Sequence, residues 1–200
     1  EEGFLASPSE LYYPIRLKCR GAYDLDRLAE EGVSHIELRM FDLNPFIPVG
    51  LDVRDVEFAQ LLLIWLISTP HRHLSPAAQA QAVHNFKIAA HYDLKTVRIL
   101  LQNDGTYGEA WPVADAAVNV ISAMRAFFAD AGGHVQEILA FEEEKFRNPQ
   151  KRYAWRVRQL YREGFVKKGI ELAKRRQQEA LSCTCAHACL EEEYIQNSDS

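Results

Sequence analysis

The chain has 200 residues, 48% of them apolar or aromatic and 26% charged, a composition that excludes disordered, collagen-like and disulfide-dense proteins. Twenty-three basic against twenty-eight acidic residues give a net charge of −5, which argues against a general binder of nucleic acid or anionic membrane. The longest apolar run, LLLIWLI from Leu61 to Ile67, is far shorter than the roughly 20 residues that cross a bilayer. Cys183, Cys185 and Cys189 crowd one end and leave Cys19 alone, so a reducing, cytoplasmic setting is expected. The opening EEGFLASPSE has neither an initiator Met nor a signal-peptide pattern, and a piece of a longer protein is expected.

Residues 11–18 alternate, with Leu11, Tyr13, Ile15 and Leu17 on an apolar side and Tyr12, Pro14, Arg16 and Lys18 on a wetter one. That period predicts a strand, and Pro14 places it at an edge or a bulge. DLDRLAEEG, 24–32, predicts a short helix with Asp24 as N-cap and Gly32 at the stop. VSHIELRMF alternates again, putting His35, Glu37, Arg39 and Phe41 on one face of a second strand. The segment 42–50, with two prolines, is expected as an ordered loop pinned by Phe46. Asp52 caps a helix to about Ser68 that is apolar almost all round and is expected to be central and buried. Ser75 and Pro76 open a helix to about Tyr92, followed by a short strand at LKTVRIL and a turn. From Pro112 four helices are expected, at about 112–131, 134–147, 150–163 and 165–181. Together these elements predict an α+β fold: an antiparallel sheet wall with packed helices and a helical C-terminal half.

Residues i and i+2 on a strand project from one face about 6.6 Å apart, so Glu37 and Arg39 stand side by side, as do Tyr12 and Arg16. A carboxylate suits Mg²⁺ and a guanidinium forks onto phosphate oxygens, so this face is a candidate nucleotide-phosphate site. The same residue types would also make an ordinary cross-strand ion pair. Two other features compete. Residues 141–176 hold twelve Lys or Arg against five Glu, interleaved with Tyr153, Trp155 and Tyr161, the composition of a candidate nucleic-acid surface and so of a non-catalytic binding module. Phe146, Tyr153, Val157 and Leu160 share a side at helical spacing, which makes most of these bases the solvated face of amphipathic helices. Cys183, Cys185, His187 and Cys189 supply soft metal ligands, yet four within seven residues is poor spacing for a zinc site. His71, His73, His84 and His91 have no carboxylate partner in pattern and are expected at the surface.

ELYYPIR (10–16), GVSHIELRMFDLNPFIPVGLD (32–52) and the helix VEFAQLLLIWLI resemble the second half of bacterial glutamate–cysteine ligase, or γ-glutamylcysteine synthetase. EEEKFRNPQKRYAWRV and YREGFVKKGIELAKRRQQEAL extend the resemblance to about Leu181, with E-x-R-x-x-D-x-N-P-F as its most specific string. The resemblance implies a glutamine synthetase-like ligase fold over 1–181, followed by an acidic Cys/His tail over 182–200. It implies ATP, L-glutamate and L-cysteine as substrates and Mg²⁺ as cofactor, with ATP phosphorylating the glutamate γ-carboxylate and the cysteine amine attacking the acyl phosphate. It makes Glu37 a Mg²⁺ ligand, Arg39 a contact to ATP phosphates and Tyr12 part of the cysteine pocket, and it puts Arg16 at a neighbouring substrate-binding position. Most metal-binding acids and the glutamate pocket of that family lie in an N-terminal half that this chain does not contain, so the isolated chain is expected to be inactive. A fused enzyme that also makes glutathione is a close variant. Where the family has a Gly-Arg pair after the Asn matching Asn85, this sequence reads AAHYDLK.

Overall fold

A computed structural model describes residues 14–21, 24–70, 73–91, 93–103 and 106–198, with side chains omitted for 102–107 and 183–198. The chain divides into two compact units, Glu1–Leu51 and Asp52–Ser200.

The first unit is a β–α–β element. Strand β1 (Ile15–Lys18) pairs antiparallel with β2 (His35–Leu38), and helix α1 (Leu25–Glu31) lies between them in sequence. Helix α1 begins where the sequence says: the Asp24 carboxylate accepts from the backbone N–H groups of Asp26 and Arg27, and Gly32, at φ 80°, ends it. Pro14 sits just outside β1, where its carbonyl accepts from Arg39 N–H (2.7 Å) and no ladder donor is needed.

The alternation is present, but its burial is the reverse of the expected one. Ile15 and Leu17 are 40% and 45% exposed, whereas Arg16 and Lys18 are half-buried. A two-stranded ribbon has one apolar side to cover, and Ile15 and Leu17 remain largely uncovered among the described residues. The long Lys18 stem instead reaches toward Glu37. In the 42–51 loop Asn44 is a buried anchor that the sequence pattern did not single out. Asn44 is buried, its carboxamide oxygen accepts from Phe46 N–H (3.0 Å), its N–H donates to Gly50 O, and its carbonyl accepts from Ile47 N–H. Phe46 is only half-buried.

The second unit is mostly helical: α2 (Val53–Ser68), α3 (Pro76–Ala89), α4 (Val113–Phe127), α5 (Gly133–Arg147), α6 (Tyr153–Leu160) and α7 (Phe165–Ser198). Two antiparallel strands, β3 (Arg98–Asn103) and β4 (Thr106–Pro112), interrupt them. Asp52 caps α2, and Ser75 caps α3 with Pro76 in its first turn, as expected.

Four features differ from the sequence expectation. TYGEAWP forms β4, so the strand at 98–103 has a hairpin partner; the apolar positions of β4 are too few to stand out from a turn, although N-D-G before it is a hairpin signal. Among the described residues the antiparallel strands form two two-stranded sheets rather than one wall. Helix α2 contains no fully buried residue: Phe58, Leu61, Leu62 and Trp65 pack inward, while Val56, Ile64 and Ile67 are exposed. Helix α7 runs past 181 to Ser198, through the segment expected as a separate tail.

The core of this unit has two parts. Ile121, Met124 and Leu139, almost fully buried, join α4 to α5 beneath the inward face of α2. Leu94, Val113 and Ala114 form a smaller cluster with Val97 and Ile99, and Phe146 packs against both. Tyr153, Val157 and Leu160 are half-buried on one side of α6, as the helical spacing predicts.

Candidate functional site

Period-2 geometry puts Glu37 of β2 and Arg39, one residue past its end, on one side, and the register places Arg16 directly opposite Glu37 across the ladder. Arg39 Nε donates to Glu37 Oε1 at 2.6 Å, and Lys18 Nζ lies 3.5 Å from Oε2. The Arg39 and Glu37 side chains are 24% and 35% exposed, so the pair is reachable but its orientation is restrained. The hydrogen bond from Arg39, with the charges of Arg39 and Lys18 behind it, holds the Glu37 carboxyl below the usual carboxylate range. Glu37 therefore stays ionised at neutral pH, the form that a cation requires.

Of the four candidate positions, Glu37, Arg39 and Arg16 lie in one patch, and Tyr12 lies outside the described residues. Lys18 belongs with them and was absent from the expected site. Its signal was legible, because the same alternation that selects Arg16 selects the residue two further on. The arrangement is a carboxylate held among cations on a strand pair, a surface chemically suited to polyanionic oxygens.

Elsewhere the candidates separate. His73, His84 and His91 are exposed, as expected, and His71 lies outside the described residues. The Cys183–Cys189 run lies within the helical backbone of α7, and its side chains are outside the described ones. No group of three or more His, Cys, Asp or Glu gathers among the described residues in a way that could hold a metal ion. Of the bases in 141–176, Lys145, Arg147, Lys168 and Arg175 are ion-paired with carboxylates. Asn85 has a structural role: its amide donates to Leu100 O at 2.6 Å and its oxygen accepts from Leu100 N–H at 3.1 Å, docking α3 on β3. No helix among the described residues is long and apolar enough to cross a membrane.

The fold and this patch define an α+β chain with a cationic strand pair around one carboxylate, and the chain is similar to known proteins. Residues 1–89 match the family model described as glutamate-cysteine ligase. The glutathione biosynthesis bifunctional protein GshAB of Listeria monocytogenes is 30% identical over 179 residues, covering 87% of this chain and 23% of that protein. The glutamate–cysteine ligase of Baumannia cicadellinicola is 32% identical over 133 residues, 65% of this chain and 25% of the relative. That of Proteus mirabilis is 27% identical over 189 residues, 87% of this chain and 34% of the relative. A crystal structure of glutamate–cysteine ligase from Francisella tularensis, in complex with AMP, superposes with a TM-score of 0.79 at 19% identity, over 90% of this chain and 36% of that one. The chain is a relative of the glutamate–cysteine ligases and spans about a quarter to a third of the length of these proteins.

Proposed function

We propose that this chain contributes one wall of the active site of an ATP-dependent glutamate–cysteine ligase, with Glu37 and Arg39 as its working residues. The observation that carries the reading is the Glu37–Arg39 pair, fixed at 2.6 Å on the face of β2 that also receives Arg16 and Lys18. In the proposed reaction a γ-carboxylate oxygen of glutamate takes the γ-phosphoryl group of ATP, releasing ADP. The cysteine amine then attacks the acyl carbon, a C–N bond forms, phosphate leaves, and the amine gives up a proton.

Such chemistry asks the protein for positioning and charge rather than for a nucleophilic side chain. Binding of Nε to Glu37 sets the plane of the Arg39 guanidinium, and a planar fork of fixed orientation can hold two phosphate oxygens at once. Lys18 and Arg16 add positive charge around the same oxygens. Tyr12, in the cysteine pocket by resemblance, would donate its phenol to the cysteine carboxylate. For Mg²⁺ Glu37 would supply a single ligand: it is ionised, and its Oε2 lies 3.5 Å from Lys18 Nζ. Glu37 would be one oxygen among several, the others coming from phosphate, water and residues beyond the described ones. Bound there, Mg²⁺ would neutralise the phosphate charge. The glutamate pocket and the remaining acids would come from the rest of a longer cytoplasmic chain. Similarity to the GshAB proteins supports a fused, glutathione-making enzyme as the second reading.

The test uses a full-length protein containing this chain. Glu37→Ala should lower turnover at least a hundredfold, on the order of the several kcal/mol that a catalytic metal contributes. Arg39→Lys keeps the charge but loses the fork, so it should raise KM for ATP or lower kcat while leaving KM for cysteine near its original value. Tyr12→Phe should do the reverse. Normal turnover with unchanged Mg²⁺ dependence in Glu37→Ala would remove this face from the chemistry.

A further inference from the structure

Away from the strand pair, the second unit buries charges that the proposed reaction does not use. Lys145 Nζ on α5 donates to Asp55 Oδ1 on α2 at 2.5 Å and to Glu142 Oε1 on its own helix at 2.6 Å. All three side chains are at most 14% exposed. Tyr153, at the start of α6, donates its hydroxyl to the same Asp55 oxygen at 3.3 Å. The ammonium lies 4.3 Å from the Phe141 ring centre and 4.6 Å from that of Tyr153, so aromatic faces close over it.

The charge count is uneven. One ammonium faces two carboxyl groups, and the other cations nearby are engaged. Arg54, stacked 3.7 Å from the Phe141 ring centre, forks onto Asp52 at 2.9 and 2.6 Å. Arg125, from α4, donates to Glu143 at 2.6 Å. Tyr153 contributes a phenol without charge. With both Asp55 and Glu142 ionised, the junction would hold one surplus negative charge away from water, and such a charge is neutralised by taking up a proton.

We propose that Asp55, Lys145, Glu142 and Tyr153 form a one-proton latch that holds α5 and α6 to α2 while Glu142 is protonated and loosens when that proton leaves. Three helices converge on a single buried ammonium, and the carboxyl groups it joins are nearly ninety residues apart in sequence. Burial is the largest influence on Glu142 and pushes its carboxyl up to about 7, with the neighbouring Asp55 adding to the rise and Lys145 opposing it. Its folded-state proton affinity therefore exceeds its unfolded one. The latch is at full strength below the ordinary carboxylate range, weakens as pH rises through neutrality, and changes little beyond.

The test compares the 200-residue chain with Glu142→Gln, which fixes the neutral state, in urea unfolding at pH 6 and pH 8. The wild-type folded-to-unfolded ratio should fall about tenfold more than that of the variant over this interval. From pH 6 to pH 8 the ratio of the wild-type to the Glu142→Gln exchange rate at amides of α6 should rise about tenfold. Should the variant fail to fold, the carbon NMR titration of the Glu142 carboxyl in the wild type decides. A midpoint near neutrality supports the latch, and one in the ordinary carboxylate range overturns it. Equal pH dependence of the two proteins would also overturn it.

Discussion

Asn85 shows how much a half-buried amide can contribute when it replaces a strand. Leu100 lies opposite Ala110 in the β3–β4 ladder, yet both its N–H and its C=O turn to Asn85 on α3. Gln81, one turn earlier on the same helix, donates to the Asn85 oxygen at 3.0 Å and fixes the amide orientation. Asn85→Ala removes both bonds and leaves two backbone groups of Leu100 without these partners. A net hydrogen bond is worth about 1 kcal/mol, and an orphaned buried group costs about 1–3 kcal/mol. Because Asn85 is only half-buried and water can partly replace it, the expected loss is about 2–3 kcal/mol. Urea unfolding should show a lowered midpoint at unchanged slope, and the Leu100 amide should lose exchange protection. Asn85→Asp should recover part of the loss, since it keeps an acceptor for Leu100 N–H but sets oxygen against the Leu100 carbonyl. A loss under about 0.5 kcal/mol in Asn85→Ala, with Leu100 still protected, would refute this reasoning.

Two more predictions concern the same unit. Leu139→Ala, at a fully buried position against Ile121 and Met124, should cost about 3–4 kcal/mol in chemical unfolding, with a smaller loss for Leu139→Met. Asp52 is buried and its carboxyl is lowered from 3.8 to about 2, chiefly by the hydrogen bond from Arg54. Its contribution is complete above the unfolded value and is lost as pH falls through about 2, so Asp52→Asn should flatten the stability profile between pH 4 and pH 2. The Arg54 side chain is 47% exposed, so the loss at pH 7 should be only about 1–2 kcal/mol, and an unchanged acid limb would show that the pair is not coupled to folding.

What lies close together in sequence was decided there. Asp24, Asp52 and Ser75 cap helices because a short side chain one residue before the first turn reaches the first N–H groups whatever surrounds it. Glu37 and Arg39 stand on one face because the strand period is two, which required only that β2 be a strand. The E-x-R-x-x-D-x-N-P-F string was the most specific carrier of the family resemblance. Burial was a different matter. The apolar and polar sides of β1 were correctly separated, but which side is covered depends on what packs against them, and Ile15 and Leu17 are the more exposed. An all-round apolar α2 likewise does not reveal which stripe meets Ile121, Met124 and Leu139. The Asp55–Lys145 contact was beyond sequence reasoning altogether. Glu142 and Lys145 are visible as an i, i+3 pair, but the second carboxylate arrives from another helix ninety residues earlier. Periodicity fixes faces because it is local, whereas the partner of a buried charge is chosen by packing, which only the assembled helices define.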